Sequence, residues 1–196
     1  MSVTRLGECG MWPAGLAEDS ARKLDEWKRT EKVRRLWSGD QSLWTGEDEA
    51  DWLGWLEIPS DAEVDKNLAL VPSKIGGEAV EAVVLLGMGG SSMGAAAMVR
   101  SVAGDAGFPK FHALDSINPC QVRSVRDQLT LSRTLFIVSS KSGRTFETHS
   151  LMQYFLQLVC SSSGSSDPGG QFLAITDPGS ELEQFAAGRR FAHVFH

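Results

Sequence analysis

Two short segments concentrate the residue types that grip anions. One, Gly87-Met88-Gly89-Gly90-Ser91-Ser92-Met93-Gly94, sets glycines beside serines. The other, Ser139-Ser140-Lys141-Ser142-Gly143-Arg144-Thr145-Phe146-Glu147-Thr148, sets five hydroxyls beside two cations. Glycines let a backbone approach a ligand closely, and N–H groups at a following helix start attract negative charge. Hydroxyls, a flexible ammonium and a helix N-terminus together make a phosphate pocket with several charge-assisted bonds. The plainer alternative for the second segment is a solvent-facing turn and N-cap carrying ordinary surface bases. Glu147 would oppose a phosphate, so its expected role is to cap the helix or orient Lys141.

Other anion-binding patterns fit less well. Gly89 to Gly94 has the spacing of a nucleotide P-loop, but Ala95 stands where lysine is needed. A dinucleotide fingerprint fails at its sixth position, Ser92, although Asp115 could still bond a ribose. An NAD(P)-dependent dehydrogenase is therefore the weakest reading. No HxH, HxxxH or Cys/His cluster suggests a metal. His112 and His193 fall in apolar runs, as core or edge residues, and His149 on a helix surface.

The elements that must position these segments alternate regularly. Val80 to Leu86, Phe111 to Leu114, Leu135 to Val138, Phe172 to Ile175 and Phe191 to Phe195 read as strands. Helical patterns run over Met93–Val102, from Asn118-Pro119, over Phe146–Val159 and over Ser180–Ala187. Leu151, Phe155, Leu158 and Val159 are expected on the buried side of the third, and Ser161–Gly170 as a mobile loop. The fold predicted is an α/β, five-stranded, parallel, doubly wound sheet flanked by helices, preceded by a helical extension. In such sheets ligands bind outside the carboxyl ends of the strands, which is where both segments fall.

The extension differs in composition. All six tryptophans (Trp12, Trp27, Trp37, Trp44, Trp52, Trp55) precede residue 56. Residues 1–70 hold nine bases and fifteen acids, whereas residues 71–196 hold ten of each. The domains are expected to be 1–72 and 73–196, joined near Pro72. One helix is predicted from Asp19 or Ser20 through Trp37, ended by Gly39, with Glu31 interrupting its apolar stripe. Thr45 with Asp48 reads as a capping box before a helix carrying Trp52, Trp55 and Leu56, and Ser60 with Glu63 as another. The tryptophans are expected to anchor helices onto a larger body.

The net charge of −6 argues against a sequence-independent nucleic-acid binder. No apolar run reaches the length of a membrane span, and the start lacks the pattern of a secretory signal. Three scattered cysteines fit neither a disulfide framework nor a zinc ribbon, which suggests a reducing, cytoplasmic setting.

Taken in order, GMGGSSMG, FIVSSKSGRTFET and LAITDPGSELEQFA resemble the first sugar-isomerase (SIS) domain of the phosphoglucose isomerase family, from about Val80 onward. RLWSGDQSLWTGEDEADWLGWLEI resembles the isomerase part of bifunctional transaldolase/phosphoglucose isomerases, which implies a possible upstream transaldolase domain. The resemblance implies a phosphosugar, glucose 6-phosphate or fructose 6-phosphate, held by Ser91, Ser140, Lys141, Ser142, Thr145 and Thr148. Gly89 and Gly90 would let the sugar approach the backbone. The family motif is altered at Ser142-Gly143-Arg144, so Arg144 is expected to add a phosphate contact. It further implies isomerisation without a cofactor, in a homodimer, with no catalytic residue in this chain and the catalytic groups in a second SIS domain beyond His196. A regulatory module that senses a phosphosugar is the alternative.

Overall fold

The computed structural model describes residues 15–56, 66, 80–102, 108–164 and 168–196. The chain divides into two compact units, Met1–Val64 and Asp65–His196. The Ser60/Glu63 cap, the join near Pro72 and the middle of the Ser161–Gly170 stretch lie outside the described residues.

In the first unit, α1 spans Leu16–Arg29 and α2 spans Lys32–Trp37. The single helix predicted over this stretch is broken where its apolar stripe falters: Glu31 takes φ 50°, a left-handed conformation that ends one helix before the next begins. Glu18 and Asp19 in the first turn of α1, and Lys28 and Arg29 in its last, complement the helix dipole. Gly39 N–H bonds the Leu36 carbonyl and Asp40 N–H the Arg35 carbonyl, the paired closure that terminates α2 at the expected glycine. Beyond it the expected α-helix is replaced by short 3₁₀ turns, Glu49–Trp52 and Gly54–Leu56. Thr45 donates its N–H to Glu49, and the Gly46 and Glu47 N–H groups bond the same carboxylate. Neither α1 nor α2 buries a residue.

The second unit is built on a sheet. Strands β1 (Ala82–Gly87), β2 (Lys110–Leu114), β3 (Thr134–Ser139), β4 (Phe172–Ile175) and β5 (His193–Phe195) pair in the order β2-β1-β3-β4-β5, all parallel. The inner strands β1 and β3 are almost wholly buried, as their unbroken apolar runs require, while the edge strands β2 and β5 are half-covered. The helices between the strands are α3 (Gly90–Val102), α4 (Pro119–Arg126), α5 (Phe146–Ser163) and α6 (Glu181–Gly188).

The chain passes from β1 out to β2, then back across β1 to β3 and onward. Right-handed crossovers therefore place α3 on one face and α4, α5 and α6 on the other. The core follows this division. Val84, Leu86, Phe136, Val138, Phe172 and Ala174 pack with Val125, Phe155 and Leu182 from the three-helix side. Phe136 is fully buried between Phe172 (ring centroids 4.8 Å) and Phe155 (5.0 Å). Burying such a side chain is worth about 1.5–3 kcal/mol.

Three expectations need revision. Helix α3 starts at Gly90, three residues before Met93, which brings Ser91 and Ser92 into its first turn. Helix α5 runs on to Ser163, and Pro168 and Gly169 are buried, so the ends of the supposed mobile loop are structured. On α5 the buried stripe includes Met152 and Leu156, while Leu158 is only partly covered. Among the described residues no helix is long and apolar enough to cross a membrane.

Candidate functional site

Strand order reverses between β1 and β3, and at that point both hydroxyl-bearing turns emerge from neighbouring strands. Gly87 ends β1 in register with Ser139, the last residue of β3. A Cβ built on Gly87 would lie 3.1 Å from the Ser139 carbonyl oxygen and 3.3 Å from the Ser91 Cβ. A Cβ there would be tighter than most packed contacts, so the glycine eases the close approach of the two turns. The crevice outside such a reversal is where open parallel sheets bind ligands.

The glycine turn is compact. Ser91 and Ser92 donate their N–H groups to the Met88 and Gly89 carbonyls at 3.2 Å each, leaving the Gly89 and Gly90 N–H groups without a backbone partner among the described residues. Ser91 is half-buried, whereas Ser92 is 1% exposed and bonds the Gly89 carbonyl through its hydroxyl. The position that a dinucleotide fingerprint reserves for glycine is thus filled by a buried serine. Asp115, the candidate ribose ligand, accepts a long 3.4 Å bond from Gln121.

The second turn is held from below by its neighbour. Ser140 is buried; its N–H bonds the Ile175 carbonyl at 3.0 Å, and its hydroxyl lies 3.2 Å from the Thr145 hydroxyl. The Lys141 carbonyl accepts from Asp177 N–H (3.0 Å) and from the Thr176 hydroxyl (3.2 Å), which leaves the Lys141 side chain on the exposed side. Thr176 in turn shares a 2.7 Å hydroxyl bond with Ser180, the N-cap of α6. Ser142 accepts from Arg144 N–H at 3.3 Å across the tip of the turn.

Gly143 explains the altered motif. It adopts φ 70°, and a Cβ there would sit 2.5 Å from the Leu182 nitrogen and 3.2 Å from that of Glu181. The first turn of α6 therefore packs directly on this glycine. Next to it, Arg144 reaches Glu181 at 2.9 Å, both side chains being largely exposed. Its guanidinium is engaged with α6 in this structure. Thr148 is likewise set apart from the exposed hydroxyls, since it is 1% exposed and points into the protein.

The support from Thr176, Asp177 and Ser180 was not singled out in the sequence. Its signal was present in Ser180 and Glu183, a capping box that fixes the β4–α6 turn: Ser180 accepts from Glu183 N–H at 3.0 Å, and Glu183 bonds back to Gly179 N–H. Thr148 also carried a readable signal. It stands three and four residues before Leu151 and Met152, on the buried stripe of α5.

His149 lines the same small cavity as Ser140, Thr145 and Thr148, whereas His112 lies on β2 and His193 on β5. Burial pushes His112 on β2 below its ordinary value, and the nearby Lys110 charge adds to that. His193 packs edge-on against Phe195, and His149 edge-on against Phe185. Among the described residues no group of three His, Cys, Asp or Glu side chains could hold a metal ion.

Comparison with known proteins points one way. The family model described as phosphoglucose isomerase matches residues 73–195. A glucose-6-phosphate isomerase from Thermus thermophilus is 31% identical over 126 residues, covering 64% of this chain and 29% of that protein. A probable glucose-6-phosphate isomerase from Natronomonas pharaonis is 34% identical over 93 residues, 47% of this chain and 20% of that protein. Among solved structures, a hypothetical protein, also from Thermus thermophilus, superposes with a TM-score of 0.70 at 28% identity, covering 92% of this chain and 40% of that one. A glucose-6-phosphate isomerase from Chlamydia trachomatis gives a TM-score of 0.57 at 27% identity, covering 68% of this chain and 24% of that one. The chain thus spans less than a third of the length of these curated relatives.

Proposed function

The chain belongs to the phosphoglucose isomerase family, and from that premise we propose that residues 73–196 are the amino-terminal phosphosugar-binding SIS domain of a glucose-6-phosphate isomerase, with residues 1–72 a helical extension. The observation that carries this reading is the meeting of the Gly89–Ser91 and Ser140–Thr145 turns at the β1/β3 reversal. Gly89 and Gly90 offer backbone N–H groups, Ser91, Ser140, Ser142 and Thr145 offer hydroxyls, and Lys141 brings a cation. These are handles for a phosphate dianion, whose charge-assisted bonds are roughly twice as strong as neutral ones. Arg144 joins them only by leaving Glu181.

The substrates of the whole protein are glucose 6-phosphate and fructose 6-phosphate in this reading. Aldose–ketose isomerisation moves a proton between adjacent carbons through an enediol and needs a second group to open the ring. The two turns hold the substrate's far end, and remote binding of this kind positions the reacting carbons. The base and the ring-opening group come from polypeptide beyond His196 and from a partner subunit, in a cytoplasmic homodimer that works without a cofactor. A transaldolase domain upstream is compatible with the tryptophan-rich extension.

Calorimetric titration with fructose 6-phosphate tests the assignment. Replacing Lys141 by Ala should weaken binding by about 1.5–3 kcal/mol, roughly ten- to a hundredfold. Equal affinity for the two proteins would remove the phosphate assignment.

A further inference from the structure

Beneath the second turn, between it and the start of α5, lies a cavity of ≈ 10 Å³ lined by Ser140, Thr145, Thr148, His149, Met152 and Leu182 among others. Thr148 is 1% exposed, and its hydroxyl has no hydrogen-bond partner among the described residues. A hydroxyl buried without a partner is costly, and native structures rarely leave one so. A helical threonine or serine usually resolves this by bonding the carbonyl four residues back. Ser150 on the same helix does so, at 2.8 Å from the Phe146 carbonyl. Thr148 does not. It lines the cavity together with Ser140 and Thr145, whose hydroxyls are 3.2 Å apart. That spacing is long for an O–H···O bond, whose usual length is about 2.7–2.8 Å, so both oxygens keep capacity for another partner. A water molecule needs about 10–15 Å³ and two to four polar neighbours; the cavity reaches the lower end of that volume, and the polar residues Ser140, Thr145, Thr148 and His149 line it.

We propose that this cavity is the binding site of a single structural water that joins the Thr148 hydroxyl to the Ser140–Thr145 pair, making Thr148 a positioning residue for the phosphate-binding turn. The water's site stands on the cavity and the orphaned hydroxyl alone; its consequence for ligand affinity rests on the phosphosugar reading. The bridge holds Thr145 at the base of the turn, so its hydroxyl keeps one orientation whether or not ligand is present. Thr148 then acts on the phosphate only through Ser140 and Thr145.

A high-resolution crystal structure of the chain decides the site. Density for one water within hydrogen-bond reach of the Thr148 hydroxyl and of Ser140 or Thr145 is expected. A dry cavity, a Thr148 hydroxyl turned onto a backbone carbonyl, or a bound phosphate oxygen directly on it would overturn the proposal. Two variants supply the second readout. Thr148→Val should weaken fructose 6-phosphate binding roughly fivefold, while Thr148→Ser, which keeps the hydroxyl, should stay within about twofold of wild type. Unchanged affinity in Thr148→Val would remove the positioning role. Melting temperature separates a bridged hydroxyl from a dry orphan: removing an orphan raises Tm, whereas removing a bridged hydroxyl does not. If no protein, wild type included, binds fructose 6-phosphate, the phosphosugar reading falls while the crystal and the melting curves still decide the water.

Discussion

The two units are stabilised by different physics. In the helical unit, α1 and α2 bury nothing, Trp37 is 62% exposed, and Trp37 meets Trp55 at 6.4 Å between ring centroids. Its order comes from caps and ion pairs such as Arg35–Asp40 and Lys23–Glu26. The sheet unit owes its order to Phe136, Phe155 and Phe172, each fully buried, with hydroxyl turns mounted on its rim. Exposed ion pairs are worth little, and buried aromatics are worth much. Among the described residues, the unit bearing the candidate site is the one with a buried core to hold that site in place.

The largest effect that would break this contrast is a core truncation. Phe136→Ala should cost about 3–5 kcal/mol, whereas Trp37→Ala should cost about 0.5 kcal/mol or less. Chemical denaturation followed by circular dichroism measures both, and similar costs would refute the division. Next in size, Gly143→Ala should cost about 1–3 kcal/mol, because it sets a Cβ on the α6 backbone and forces a left-handed residue. It should also weaken phosphosugar binding, whereas Gly39→Ala, with open space around its Cβ, should leave that binding unchanged.

The smallest expected effect is electrostatic. Hydrogen bonds from Lys23 and Lys32 lower Glu26 to about 2, those from Ser42 and Arg35 lower Asp40 to about 2, and those from Thr45 lower Glu49 to about 2. All three lie in the helical unit. A carboxylate lowered on folding contributes stability above its unfolded value, here 4.5 or 3.8, and that stability is lost as pH falls toward about 2. All six tryptophans lie in the first 55 residues, so their fluorescence reports this unit alone. Between about pH 4.5 and pH 2 it should shift while the sheet's circular dichroism holds, and salt should flatten the shift. Coincident transitions by the two probes would contradict the comparison.

Legibility in the sequence followed the same division. Strand positions were readable because inner strands of a parallel sheet are apolar without interruption, as Val83–Leu86 and Leu135–Val138 are. Helix ends were less so: Gly90, Ser91 and Ser92 have no apolar period, and only the backbone shows that they already belong to α3. Glu31 was visible as a flaw in a pattern, but not as a break. At the site, residue types gave the turns, and the β1/β3 reversal put them together. What could not be read were partners distant in sequence. Arg144 finds Glu181, and Gly143 meets Leu182, across nearly forty residues, through packing of α6 that no local pattern announces.

The most direct measurement follows backbone amide resonances of the 196-residue chain during titration with fructose 6-phosphate. Gly89–Ser91 and Ser140–Thr145 should shift together, along one binding curve, with the first unit unmoved. Shifts confined to other surfaces, or to one turn without the other, would contradict the phosphate assignment.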